Sequence, residues 1–288
     1  MIEVPPLPNP DVETDWAELS CLFRKNQSLS RSEVEKALEE AGVDDPELTI
    51  ENIWREITWR HYITPESHPI IASQDRLQRV RTWRRAFSYA FMLLLTCQSF
   101  YESTRVSKRQ WPKTAKLFER LTTAAMERYL GRAINIGAPR RGGVPRSFKK
   151  CLDFICDKTK ELRGPVSQFR KWSKDEGVDV ISWHPFDERS GQVIILVQCG
   201  AGATWQEKTM EISLPVWREY IDFVTDPMTA LAFPDVCHND WMYLSKQSGV
   251  LLDRLRIASL VPKNMTFPLR RELIDWSKQQ LRGLQWAT

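Results

Sequence analysis

An uninterrupted run of apolar, mostly β-branched residues, VIILV at 193–197, places the tightest constraint on how this chain folds. The run does not alternate with polar residues, so both faces of such a strand need to be covered. A second short apolar segment, VDVISW at 178–183, precedes it across the turn-forming segment HPFDERSG. We expect these two segments to be adjacent strands of a mixed central sheet that is flanked by helices.

Helical patterns dominate the chain before about residue 163. Ser30 and Glu33 form the pattern of a capping box, which predicts a short helix through VEKALEEA. Asp75 is in place to cap a long helix through DRLQRVRTWRRAFSYAFMLLLTCQSFYE, and Pro112 opens another that Gly131 ends. We therefore expect an all-helical N-terminal region over residues 1–110 and an α/β (α+β) domain with C-terminal helices over residues 111–288.

Charge is unevenly distributed between these parts of the chain. Residues 1–70 hold 6 basic and 15 acidic residues, a net charge of −9, whereas the remainder holds 35 basic and 22 acidic residues, a net charge of +13. A basic body is the electrostatic pattern expected of a nucleic-acid-binding protein. The acidic helices would be repelled by phosphate, so we interpret them as a docking element for a protein partner.

The composition favours a soluble protein of the cytoplasm. The longest apolar run, Ala86 to Cys97, is too short to span a bilayer, and the acidic, proline-rich start of the chain is unlike a signal peptide. Six cysteines are scattered without any CxxC pair, as is typical of reduced core cysteines in a cytoplasmic protein. We expect no membrane partner.

Polar residues at the ends of the two predicted strands suggest a site. Asp179 lies in the first strand, Gln198 ends the second, and Lys208 follows a small-residue turn in what we expect to be the first turns of a helix. A buried carboxylate needs a partner, which makes a purely structural role for Asp179 costly. Oxygen ligands at neighbouring strand ends suit Mg²⁺, which needs only one or two carboxylates besides substrate phosphate.

Over residues 112–245 the order of elements and the residues at their corners resemble the PD-(D/E)XK nuclease superfamily, with its restriction-endonuclease-like fold, and most closely its Mrr-like branch. The resemblance rests on Glu119 in KLFERL on the first core helix, on Asp179 in GVDVI, and on Gln198 at the end of the second strand. It implies that Asp179, Gln198 and the Cys199 carbonyl bind Mg²⁺ or Mn²⁺, with Glu119 facing the metal.

The chain departs from the family pattern at one position. Where the family places a lysine two residues after the acid or glutamine, this chain has Gly200. That lysine is thought to orient the attacking water or to stabilise the phosphate in the transition state. Some family members supply it from the next helix, and Lys208 is the corresponding residue here, which completes the predicted catalytic set of Glu119, Asp179, Gln198 and Lys208.

The resemblance implies a metal-dependent DNA endonuclease that hydrolyses phosphodiester bonds, as the nuclease component of a restriction or anti-phage defence system. The loop between the first core helix and the strand pair is strongly basic and would bind the backbone; its cations are Arg140, Arg141, Arg146, Lys149 and Lys150. The chain has no GxxxxGK[ST] motif, so an ATP-driven step would need an ATPase or helicase subunit as partner. RNA as substrate and a homo-oligomeric state stay open.

Two other functional classes compete with this one. Because the strand lysine is missing, the chain could be a catalytically degenerate nuclease-fold protein that acts as a nucleic-acid-binding or scaffold subunit. The third class is a small-molecule enzyme. Its one supporting segment, GAGAT at 200–204, lacks the full GxGxxG pattern of a dinucleotide-binding turn.

Overall fold

The computed structural model describes residues 1–6, 9–165, 175–262, 265 and 267–284, and within them the chain is mixed α+β. The helices are α1 Pro10–Phe23, α2 Arg31–Glu40, α3 Pro46–Ile63, α4 Phe87–Cys97, α5 Trp111–Leu130, α6 Phe148–Thr159, α7 Leu214–Tyr220, α8 Trp241–Ser248, α9 Arg254–Leu260 and α10 Phe267–Leu281. The strands are β1 Ser28–Ser30, β2 Ile70–Ala72, β3 Arg76–Arg79, β4 Arg132–Asn135, β5 Leu162–Arg163, β6 Val180–His184, β7 Val193–Cys199, β8 Ile221–Asp222, β9 Met228–Ala232 and β10 Val250–Leu252.

A five-stranded mixed sheet forms the centre of the molecule, in the order β10-β9-β7-β6-β4. Strands β4, β6 and β7 pair antiparallel, whereas β9 pairs parallel with β7 and β10 parallel with β9. Ile181 of β6 lies opposite Leu196 of β7, which confirms that the two predicted strands are neighbours. The small sheet of β5 and β8 lies apart from this one.

Strand β7 is central and covered on both faces, as its apolar run predicts. Ile195 and Val197 pack into the cluster formed with α4, α5, α9 and α10. Ile194 and Leu196 point to the opposite face, into the cluster that includes α6 and α7. Side chains alternate along a strand, so an apolar residue at every position fills two cores at once.

The prediction of an all-helical N-terminal region is wrong. Strands β1, β3 and β2 form a three-stranded antiparallel sheet in that order within residues 28–79. Its strands are three or four residues long, so none of them is long enough to give a clear alternating pattern. Leu77 of β3 is buried in the core with α1 and α3, while the flanking Arg76 and Gln78 are exposed.

The long helix predicted from Asp75 is also wrong in its first half. Residues 76–79 form β3, a turn follows, and the helix begins only at Phe87. The Asp75 carboxylate accepts hydrogen bonds from Ser73 and Arg76 in a turn between strands, so it caps no helix. Four further strands, β4, β5, β8 and β10, were missed because they lie in segments interpreted as loop or helix. The capping box of Ser30 and Glu33 is confirmed at the start of α2.

A buried ion pair joins the N-terminal helices to the central sheet. Arg254, at the start of α9 just after β10, donates from Nη1 and Nη2 to the two carboxylate oxygens of Asp15 in α1, at 2.8 and 2.7 Å. Arg60 of α3 also donates to Asp15, at 2.8 Å. All three side chains are buried. The ion pairs therefore hold α1 against α3 and against the start of α9.

The six cysteines are buried as free thiols. No described helix combines the length and apolar character required to cross a bilayer.

Candidate functional site

Asp179 is held at the point where three strands of the central sheet come together. Its backbone N–H donates to the carbonyl of Val197 in β7, at 2.9 Å. Its own carbonyl accepts from the N–H groups of Ile136 and Gly137, which follow β4, at 2.8 and 3.1 Å. The backbone pairing of β4, β6 and β7 therefore brings Gly137 against Asp179.

Glu119 of α5 and Asp179 face the same small space beside Gly137. A Cβ atom built on Gly137 would lie 2.6 Å from Oε2 of Glu119 and 2.7 Å from Oδ1 of Asp179. A side chain at position 137 would collide with both carboxylates, so the space between the two acids depends on glycine. We call Glu119, Gly137 and Asp179 the carboxylate pocket.

Lys116 is the cation of the carboxylate pocket. It lies one turn before Glu119 on α5, is 8% exposed, and donates to Oε2 of Glu119 at 2.5 Å. It also donates to the carbonyl of Gly137 at 2.7 Å and to Oδ1 of Asn135 at 3.2 Å. An ammonium has three donors, and each of them has an acceptor here. The amide of Asn135 in turn donates to Oε2 of Glu119 at 3.0 Å.

Burial and like charge shift the titration of Asp179. Burial is the larger cause and the Glu119 carboxylate the next, and together they raise the pKa of Asp179 to about 7. A hydrogen bond from the backbone N–H of Cys199 to Oδ2, at 2.8 Å, and the charge of Lys208 act in the opposite direction and lower this pKa. An acid with a pKa near neutral, in a pocket with a second acid, is typical of a functional site.

Lys208 contacts the end of β7. It lies on a 3₁₀ turn, Trp205–Lys208, and not in the α-helix that the sequence predicts. Its ammonium donates to the backbone carbonyl of Cys199 at 3.4 Å. That carbonyl is the one expected to be a metal ligand, and the N–H of the same residue donates to Asp179, so Lys208 and Asp179 both contact the backbone of Cys199.

Gln198 lies apart from the two acids. Its neighbours in the strand, Val197 and Cys199, point into the core beneath α5, and strand alternation directs Gln198 to the other face of the sheet. There it is 2% exposed and borders a small cavity together with Lys208 and Ser248. The structure thus groups Gln198 with Lys208, and Glu119 with Asp179.

The basic loop divides into one buried and four exposed cations. Arg140 is buried, donates to the carbonyl of Arg146 at 2.9 Å and lies over the ring of Phe148. Its guanidinium therefore takes part in holding the loop against α6. The other predicted cations are exposed, as phosphate contacts require: Arg141, Arg146, Lys149 and Lys150.

The residues of the carboxylate pocket fit a hard divalent cation. Mg²⁺ and Mn²⁺ prefer oxygen ligands, and Mg²⁺ keeps several waters, so the two carboxylates that border one space are enough. Within the part of the chain that the structure describes, no cluster of three or more His, Cys, Asp or Glu side chains is arranged around a common metal position. A zinc site of the usual four protein ligands would require such a cluster.

Sequence reasoning missed three members of this site: Lys116, Asn135 and Gly137. A sequence signal existed for Lys116, because a lysine three residues before an acid shares one face of a helix with it. Asn135 and Gly137 gave no such signal, since Asn135 ends β4 and Gly137 follows it, in a segment that was interpreted as loop.

Comparison with known proteins gave no match to this chain among protein-family models, curated proteins or solved structures.

Proposed function

We propose that this protein is a metal-dependent DNA endonuclease whose site is the carboxylate pocket. The observation that carries the proposal is the convergence of Glu119 and Asp179, which are distant in sequence, on the side-chain-free space at Gly137. Such a space between two acids is costly to maintain, because burial and like charge both disfavour ionised carboxylates. A divalent cation that binds both would offset this cost.

The chain's own residues have distinct roles in this proposal. Glu119 and Asp179 would hold the ion, and the N–H of Cys199 fixes the orientation of the Asp179 carboxylate. When bound, the ion would polarise the scissile phosphate and lower the pKa of a coordinated water. Lys116 supplies the positive charge beside the acids, in the role that the family resemblance gives to the missing strand lysine, while Lys208 keeps the Cys199 carbonyl in place.

The sheet supports the finer proposal of a restriction-endonuclease-like core. A helix that bears an acid, α5, precedes three antiparallel strands, and a parallel strand, β9, follows the next helix. Asp179 directly precedes β6, the middle strand of the three, and Glu119 of α5 borders the same space at Gly137. This arrangement agrees with the mixed, helix-flanked sheet that the resemblance implies.

Purified protein incubated with plasmid and linear DNA tests the activity directly. We expect cleavage in Mg²⁺ or Mn²⁺, none in EDTA, and a loss of at least about 100-fold for Asp179→Asn and for Glu119→Gln. Both substitutions keep the shape of the side chain, so a thermal unfolding midpoint close to that of the wild type would exclude misfolding. Cleavage by Asp179→Asn at the wild-type rate would refute the site.

Two observations favour a second candidate, a nucleic-acid-binding subunit without catalysis. The three donors of Lys116 are all taken by acceptors of the protein itself, and Gln198 faces away from the two acids. A protein of this kind would bind DNA with the salt dependence of phosphate contacts and would cleave it under no metal condition. The cleavage and binding assays together distinguish the two candidates.

The biological setting is a separate proposal. The resemblance implies a restriction or anti-phage role, which plating of phage on cells that express the wild type or Asp179→Asn would test. The exposed acids of α2 and α3 are the proposed docking element for a partner subunit: Glu35, Glu39, Glu40, Glu47 and Glu51. Charge reversal of these acids should weaken co-purification of such a partner.

A further inference from the structure

A groove of about 480 Å³ lies between α5 and α10, directly beside the carboxylate pocket. Lys113, Lys116 and Arg120 of α5 and Arg141 of the basic loop line it, and Lys116 is the residue that binds Glu119. Lys116 therefore lies between the groove and the carboxylate pocket. Two separate basic segments of the chain, one at the start of α5 and one in the loop, converge on this groove.

Arg120 is held in the groove by a bidentate ion pair with Glu272 of α10. Its Nη1 lies 2.7 Å from Oε2, and its Nη2 lies 2.9 Å from Oε1. Two parallel N–H···O bonds are also the geometry in which a guanidinium binds a phosphate group. The side chains are 33% and 48% exposed, so an anion from solution can reach the pair.

Besides this ion pair, the groove has two cations that are available to bind an anion from solution. Glu272 lies near both arginines: the hydrogen bond from Arg120 is the largest cause that lowers its pKa, and the charge of Arg141 lowers it further. Asp275, the other acid of the groove, pairs with Lys278 on its own helix at 3.0 Å. Over the described ranges, no acid lies within ion-pair distance of Lys113 or Arg141.

We propose that this groove binds the phosphate backbone of DNA next to the carboxylate pocket, and that Glu272 occupies the Arg120 guanidinium in the place of a phosphate until DNA displaces it. The choice of DNA rests on the proposed function. Lys113 and Arg141 attract the backbone to the groove, and Arg120 becomes a further phosphate contact when Glu272 is displaced. Glu272 thereby sets how tightly the groove binds.

Two substitutions in one helix separate this proposal from a simple change of net charge. Glu272→Gln and Asp275→Asn each remove one negative charge from the same groove, but only the first frees Arg120. Binding of a short fluorescein-labelled DNA duplex is followed by fluorescence anisotropy in EDTA, over a series of salt concentrations. We expect Glu272→Gln to bind at least about threefold more tightly and to steepen the slope of log K against log salt by about 0.9, the value for one added phosphate contact.

Asp275→Asn should tighten binding less and should leave the slope as in the wild type. Adding Arg120→Met to Glu272→Gln should abolish the gain, because the freed guanidinium is then absent. Thermal unfolding midpoints show whether each variant is folded. Equal effects of the two single substitutions, an unchanged affinity for Glu272→Gln, or no binding by any variant would overturn the proposal.

Failure of the groove and failure of the nuclease proposal give different results. If Glu272→Gln binds more tightly but no variant cleaves DNA in Mg²⁺, the groove is supported and the nuclease proposal fails. If the wild type cleaves DNA and Glu272→Gln changes neither affinity nor slope, the groove proposal alone fails.

Discussion

The ammonium group of Lys116 lies 2.5 Å from Oε2 of Glu119, on the same face of α5 and one turn before it. Lys116 is buried and Glu119 is partly buried beside it, so a positive charge accompanies the two acids even though Gly200 occupies the expected strand position. The helix supplies the cation that the strand lacks. Five measurable consequences follow from this site and from the ion pair that anchors the N-terminal helices.

Lys116→Met should reduce Mg²⁺-dependent cleavage by about 100-fold, because it removes the cation next to the reacting phosphate. Lys208→Met should reduce cleavage less, because Lys208 donates its hydrogen bond to the Cys199 carbonyl and acts on Asp179 only through its positive charge. Single-turnover cleavage of end-labelled DNA measures both. A larger loss for Lys208→Met than for Lys116→Met would assign the catalytic cation to Lys208.

Gly137→Ala should weaken metal binding by about 10-fold or more while the protein stays folded. The new methyl group would lie 2.6 and 2.7 Å from the two carboxylate oxygens and would force them apart. Gly202→Ala is a matched control, since its nearest new contact is 3.6 Å away, at the ring of Trp111. Titration with Mn²⁺, followed by its electron paramagnetic resonance signal, measures the affinity; equal affinities for the two variants would contradict the carboxylate pocket.

The pKa of Asp179 near 7 gives metal binding a defined pH dependence. A ligand must lose its proton to bind a metal, so the apparent affinity for Mg²⁺ should rise with pH up to about 7 and then level off. Asp179→Asn should remove this rise. Calorimetric titrations of Mg²⁺ across this range test it, and an affinity that is flat between pH 5 and pH 8 in the wild type would contradict it.

The same shift determines how the metal-free protein responds to pH. The pKa of Asp179 is about 7 in the fold and near its usual value of 3.8 in the unfolded chain. The folded state therefore binds more protons between these values, and the contribution of Asp179 to stability falls as pH rises through this window. Relative to the wild type, Asp179→Asn should be more stable at about pH 8 than at about pH 5, as measured by urea unfolding in EDTA.

Arg254→Met should lower the free energy of unfolding by about 3–5 kcal/mol, because the buried carboxylate of Asp15 would lose two charged hydrogen bonds. Arg76→Met, which breaks an exposed pair with Asp75, should cost less than about 1 kcal/mol. Adding Asp15→Asn to Arg254→Met should recover part of the loss, since it removes a carboxylate charge that has lost one of its two arginine partners. Equal costs for the buried and the exposed arginine would contradict the anchoring role.

Some parts of the fold could be predicted from the sequence because their signals are local. The apolar run VIILV requires a strand covered on both faces, and β7 has that position. The capping box of Ser30 and Glu33 sets the start of α2 within a few residues. The sheet of β1, β2 and β3 could not be predicted in this way, because strands of three or four residues are defined by their partners more than by their own pattern.

The residues of the candidate site also differ in whether the sequence could predict their positions. The sequence by itself determined that Asp179, a carboxylate in an apolar strand, needs a partner, and that Glu119 lies on the helix that could provide it. Only the tertiary structure decided the rest: pairing of β4 with β6 brings Gly137 against Asp179, α5 directs Lys116 to the same place, and alternation along β7 turns Gln198 away. The physical reason is that residue types and helix faces are set by local sequence, whereas the distances between oxygens that decide a site depend on strand pairing between distant segments.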